Sequence, residues 1–254
     1  MAEPTAFVVQ GRPIALPVQV RDAVSITATF TVPTVAVRRL VPHGALRIPE
    51  IMPGRALCVL AAVEYRDNDL GQYNEVAVSF LVESGKQPSF PLVGLLRGLR
   101  RHTIGAYIHR LPVTTTFSRD VGRDVWGFPK TVDDITFTEA DGWRTARLVV
   151  GRTHALSLSV RRGGRRRMAA TPQDSWAARD GVLWRTPSVM SGEGVGVHVF
   201  GGARLELGAH PIGDELRSLG LPHRPLVATY MARMRASFDA PEHGGAASAA
   251  HDPE

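Results

Sequence analysis

The sequence predicts a β-rich α+β domain built mainly on antiparallel sheet. Apolar side chains recur at every second residue in many segments, turn-forming residues separate those segments, and helical periodicity is confined to short stretches. No internal repeat and no mid-chain linker divides the chain, so residues 1–241 are expected to form one domain.

The first clear strand is Val24 to Val32, where Val24, Ile26, Ala28, Phe30 and Val32 alternate with Ser25, Thr27, Thr29 and Thr31. Residues 56–65 form a continuous apolar run, which suits a strand buried on both faces. Tyr73 to Glu83 alternates again, with Val76, Val78, Phe80 and Val82 on one face and Tyr73, Glu75, Ala77, Ser79 and Leu81 on the other. Further strands are expected at 105–117, 133–138, 143–150, 154–161, 195–207 and 225–238, with a hairpin turn at Ala140-Asp141-Gly142. Short helices are expected at 91–101, at 119–126 behind Ser118 as N-cap, and at 211–219 before Gly220. From Glu242 the apolar period is lost, and residues 242–254 are expected to lack fixed structure.

Composition removes several function classes. A single cysteine, Cys58, excludes an intrachain disulfide framework, and its apolar neighbours make it a buried side chain rather than a nucleophile. The stretch Ala6 to Val20 is broken by Gln10, Arg12, Pro13 and Pro17, so it is no signal-peptide core, and no run reaches bilayer-spanning length. The expectation is a cytoplasmic protein with no membrane partner. The net charge of +6 is concentrated in Arg161-Arg162-Gly163-Gly164-Arg165-Arg166-Arg167, taken as a hairpin tip, and in Arg97, Arg100 and Arg101. No aromatic residue interleaves with either cluster in the sequence, so no nucleic-acid partner is expected.

Standard catalytic motifs are missing from the sequence. The nine histidines have no zinc-type spacing, no GxSxG elbow occurs, and Gly192-Glu193-Gly194-Val195-Gly196 leads into a strand rather than a phosphate-binding helix. Lys130 is the exception. It follows a short helix, a glycine stop at Gly127 and the extended dipeptide that Pro129 imposes on Phe128, in an apolar setting completed by Trp126. An ordinary lysine is almost wholly protonated at neutral pH. Burial disfavours the charged form and leaves an amine able to attack a ketone and form an iminium ion.

The segment Gly122-Arg123-Asp124-Val125-Trp126-Gly127-Phe128-Pro129-Lys130 resembles the signature of the acetoacetate decarboxylase family. A second match is Leu70-Gly71-Gln72-Tyr73-Asn74-Glu75, and a weaker one is Val35-Ala36-Val37-Arg38-Arg39-Leu40-Val41-Pro42. The resemblance implies antiparallel sheets closing into a barrel-like cavity with a few short helices, usually in a homo-oligomer. It also implies Lys130 as the Schiff-base residue and Glu75 as its catalytic acid, with no metal or organic cofactor. Tyr73, Arg123, Phe128, Tyr230 and Arg21 are the implied substrate-binding residues. Tyr73 would be a wall residue with a hydroxyl to offer, and Tyr230 a proton donor where it points into the cavity. Arg123 would lower the lysine pKa or hold a carboxylate, and Arg21 is the nearest counterpart of the arginine that handles the carboxylate of a small keto acid. Of His109 and Arg110, on opposite faces of their strand, at most one is expected to face the cavity.

The chain also departs from the family pattern. Thr131 stands where a second lysine is common, and apolar Leu60 stands near the place of a second acidic residue. The expected reaction is decarboxylation of an acetoacetate-like β-keto acid. The alternatives are an aldolase-dehydratase or cyclase acting on pyruvate-like 2-keto acids with the same lysine, and a non-catalytic ligand-binding member.

Overall fold

A computed structural model describes residues 7–41, 46–84 and 103–246. A hairpin of β1 (Phe7–Val9) and β2 (Arg12–Ile14) precedes the long β3 (Val18–Pro33), the short helix α1 (Thr34–Arg38) and β4 (Leu46–Arg47). The hairpin β5 (Arg55–Asn68) and β6 (Tyr73–Ser84) follows, then β7 (Ile104–Val113), α2 (Thr116–Trp126) and β8 (Lys130–Val132). Next come β9 (Asp134–Ala140), β10 (Trp143–Val150), β11 (Thr153–Arg161), β12 (Arg166–Arg179) and β13 (Val182–Val199). The chain continues through β14 (Ala203–Leu207), α3 (Pro211–Ser218), β15 (Val227–Phe238) and β16 (Glu242–Ala246).

The architecture is the β-rich α+β class expected. Strands β6, β5, β3, β15, β13, β12 and β7 pair in that order, and a β6–β7 pairing closes them into a seven-stranded barrel. The contacts are antiparallel except where β12 meets β7 and where β8 extends β7. A second sheet, β14-β11-β10-β9, packs against the barrel. Its Leu148, Leu156 and Leu158 share a core with Ile26, Leu60 and Phe80 of the barrel strands. A separate core on the opposite face joins Val63, Tyr65 and Leu111 to Val121, Val125 and Trp126 of α2. The alternation of β5 and β6 divides between the two: Leu60 and Phe80 enter the first core, Val63 and Tyr73 the second.

Turn chemistry accounts for the hairpins. Asp141 and Gly142 both take positive φ (51° and 77°) in a two-residue loop that pairs Ala140 with Trp143. Asp180 and Gly181 (51° and 74°) make the same turn between β12 and β13, a signal the sequence reading passed over.

Several expectations are corrected. The strand expected at 195–207 is two elements, the end of β13 and all of β14, separated by the turn carrying Phe200. The arginine-rich segment is no hairpin tip, because β11 and β12 belong to different sheets and residues 162–165 cross between them. Gly164 fits against Val195 and Gly196 there, where any Cβ would collide with their backbone. The N-cap of α2 is Thr115, whose side chain accepts from the Ser118 N–H, so the helix starts three residues earlier than expected. Glu242–Ala246, expected to lack structure, lies antiparallel against β13. The helix expected over 91–101 and the cluster Arg97, Arg100 and Arg101 lie outside the described residues.

Candidate active site

Lys130 owes its place to the end of α2. Gly127 takes the left-handed conformation (φ 70°) and stops the helix, and the Gly127 and Phe128 N–H groups donate back to Arg123 and Gly122 carbonyls. Pro129 then turns the chain into β8, where Lys130 pairs with Leu111. The Lys130 N–H donates to the Phe128 carbonyl (2.8 Å), and Arg123 Nε donates to the Lys130 carbonyl (2.6 Å). Arg179 in turn donates to the Arg123 carbonyl. The backbone of the lysine is therefore held on both sides.

The side chain enters the second core. Lys130 is 3% exposed, and its Nζ lies 2.9 Å from Glu75 Oε2. The Tyr65 hydroxyl donates to the other carboxylate oxygen, Oε1, at 3.1 Å. Tyr65 and Tyr73 stack at 4.4 Å between centroids, and the ammonium sits 5.1 Å from the Tyr73 ring centroid. Burial, then the Glu75 charge, pushes both phenols well above their usual range, so each hydroxyl stays a neutral donor.

These groups line a cavity of about 40 Å³ whose remaining wall is largely apolar. Val18 and Val20 of β3, Leu111 of β7, and the Trp126, Phe128 and Phe238 rings close it. Trp126 and Phe128 lie 5.9 Å apart, and the Trp126 indole N–H is fixed on the Asp239 carbonyl. Asn68 also lines the cavity, with its amide engaged by Gly71 and Leu70 of the β5–β6 turn.

Four of the sequence-selected residues therefore meet here: Lys130, Glu75, Tyr73 and Phe128. Three do not. Arg21 follows Val20 on β3, and alternation points it outward to Asp67 and Asp69. Arg123 lies on the exposed side of α2 and touches the lysine only through its backbone. Tyr230 belongs to the core on the opposite face. The reason is an extra residue in β15 between Met231 and Met234, followed by one in β3. The β15 bulge reverses the parity of that strand, so Ala228 and Tyr230 face the first core whereas Met234 and Ala236 face the second and Phe238 faces the cavity.

A bulge also corrects the reading of His109 and Arg110. Val78 pairs with Arg110 and Ser79 with Ile108, which leaves His109 as the extra residue. Both side chains reach Glu215 on α3, His109 Nε2 at 2.9 Å and Arg110 through two hydrogen bonds, and neither lines the cavity.

Tyr65 is the polar neighbour that sequence reasoning missed. Glu75 pairs with Val63, and Tyr65 pairs with Tyr73, so Tyr65 is the diagonal neighbour of Glu75 on one face. Leu60, where a second acid was sought, points into the other core. Thr131 is exposed and donates to Asp133, so the residue after the lysine turns out of the cavity. Among the described residues, no three histidine, cysteine or carboxylate side chains gather as metal ligands, and no helix is long and apolar enough to cross a membrane.

Fold and site together define a closed β-barrel protein with a buried lysine–glutamate pair facing a small apolar cavity. The family model of acetoacetate decarboxylase matches residues 4–242, and the chain belongs to that family. Three solved structures are similar in fold. Acetoacetate decarboxylase from Legionella pneumophila superposes with a TM-score of 0.65 at 12% identity, covering 95% of this chain and 92% of that one. Another acetoacetate decarboxylase gives 0.62 at 16%, covering 90% and 88%. The enduracididine biosynthesis enzyme MppR, solved with pyruvate, gives 0.62 at 14%, covering 97% and 100%. No protein of curated function matches the sequence.

Proposed function

We propose that the protein is a carbon–carbon lyase that forms an iminium between Lys130 and a small keto acid. The reaction proposed first is decarboxylation of an acetoacetate-like β-keto acid. The carrying observation is the buried contact between Lys130 Nζ and Glu75 Oε2 within an otherwise apolar cavity. A carboxylate at that distance is within reach to take a proton from the ammonium. The freed amine adds to the ketone, and Glu75 returns the proton to the departing hydroxyl, releasing water and leaving the iminium. The bond to the substrate carboxylate then breaks, its electron pair moves to the iminium nitrogen, and carbon dioxide leaves an enamine. Protonation at carbon and hydrolysis release the ketone and restore the lysine. Tyr65, hydrogen-bonded to Glu75, holds the carboxylate in place through this cycle.

Reaction with a pyruvate-like 2-keto acid through the same lysine is the second reading. It is favoured by the likeness in fold to MppR, solved with pyruvate. The proposal includes a homo-oligomer acting in the cytoplasm, for which light scattering on the purified protein tests the assembly. Borohydride reduction in the presence of acetoacetate or of pyruvate tests the chemistry. Lys86 and Lys130 are the chain's only lysines, so one peptide map assigns the adduct. Added mass on Lys130 supports the proposal, and carbon dioxide release separates decarboxylation from condensation. A folded protein that gives no adduct with any keto acid tried would sink it.

A further inference from the structure

We infer that Gly122 is a positioning residue for Lys130, supplying the space through which the lysine side chain reaches Glu75. The inference rests on the reading of Lys130 as the reacting amine, but its geometry stands apart from any particular substrate. Gly122 is buried within α2. A Cβ built at this position would lie 2.4 Å from Lys130 Cδ, 2.7 Å from Cε and 3.1 Å from Cγ, and these are its three nearest neighbours. All three atoms belong to the lysine stem. The stem therefore crosses the helix at the one residue with no side chain to obstruct it.

Both ends of that stem are anchored. Arg123 and the Phe128 carbonyl hold the Lys130 backbone, and Glu75 holds Nζ. A methyl group at residue 122 would displace Cδ and Cε and draw the nitrogen off the carboxylate. The displaced atoms are flexible side chain rather than backbone, so the fold can accommodate the change while the lysine moves.

The glycine has no evident backbone purpose. Gly127, at the end of the same helix, takes φ 70°, a conformation that favours glycine, whereas Gly122 is not among the positive-φ positions. Inside a helix, alanine is the better residue on propensity alone. Helix propensity alone therefore favours alanine at this site, and removing the lysine stem separates that preference from the space the lysine requires.

The test is Gly122→Ala in the full chain, read in three ways. Its melting temperature should fall, because Glu75 loses the partner that compensates its buried charge, while unfolding stays cooperative. Borohydride trapping of acetoacetate or pyruvate on Lys130 should fall by roughly tenfold or more, as expected for a misplaced reacting group. Labelling of Lys130 by acetic anhydride, which needs no substrate, should rise as the amine leaves its buried pairing. Unchanged labelling would overturn the inference.

A second comparison guards against a variant that fails to fold. In a Lys130→Ala background the stem is gone, so adding Gly122→Ala should leave stability the same or raise it. A lower melting temperature there would show that helix packing, not the lysine, requires the glycine, and would equally overturn the inference. If the parent protein traps no keto acid while Lys130 labelling rises in Gly122→Ala, the proposed reaction fails and the positioning role stands.

Discussion

Lys130 Nζ lies 2.9 Å from Glu75 Oε2, and the two are brought together by β7, which pairs with β6 on one side and with β8 on the other. Glu75 pairs with Val113 and Lys130 with Leu111, so the residues they pair with sit two apart on the strand between them. The contact is thus a product of the β6–β7–β8 register. A slip of one residue on either side would turn one partner to the other face.

Breaking this pair by removing the amine leaves a buried carboxylate uncompensated. Lys130→Met should abolish adduct formation and lower stability by about 3–5 kcal/mol. Adding Glu75→Gln should restore part of that loss, because the uncompensated charge is gone. Urea denaturation of the parent, both single variants and the double variant checks this. Full additivity of the two losses would contradict the pairing.

Tyr65→Phe deletes the hydrogen bond to Glu75 Oε1 while keeping the stack on Tyr73. The expected loss is roughly 1.5–3 kcal/mol, the range for a hydrogen bond to a charged group. Adduct formation should slow, with the product still mapping to Lys130. A variant that traps keto acid at the parent rate would remove Tyr65 from the site.

Tyr230→Phe and Arg21→Ala should trap keto acid as the parent does, since neither side chain lines the cavity. Phe238→Ala, by contrast, opens the cavity wall and should change the preference among keto acids with longer side chains. Trapping yields across a short homologous series of acids measure both effects.

Acid should loosen α3. Burial opposes ionisation of Glu215, but hydrogen bonds from Arg110 and then His109 outweigh it and hold the carboxyl down at about 2. A carboxyl depressed in the folded state contributes stability that is complete above its unfolded value, near 4.5, and is lost as pH falls toward 2. The stability difference between parent and Glu215→Gln should therefore shrink across that window. Chemical denaturation at a series of pH values tests it, and a constant difference would refute the linkage.

Cys58 should resist alkylation in the native protein at pH 8. It is fully buried, and burial pushes its thiol up to about 12, so almost no thiolate exists to react. Mass spectrometry before and after unfolding gives the comparison.

The local architecture was legible in the residues themselves. Alternation located β3, β6, β9, β10, β11 and β15, a continuous apolar run located β5, and Asp141-Gly142 marked its hairpin because only a few residue types accept positive φ at two successive positions. Lys130, Glu75, Tyr73 and Phe128 were also legible, through two short motifs that the register then joined. What only the tertiary structure decided is which side chains face the cavity where a strand is irregular. Tyr230 and Phe238 share a parity in the sequence, yet the bulge in β15 sends them to opposite faces, and another bulge directs His109 and Arg110 together onto Glu215. A β-strand has a side-chain period of two, so one inserted residue reverses every position beyond it, and nothing in the composition of these strands marks where that insertion falls.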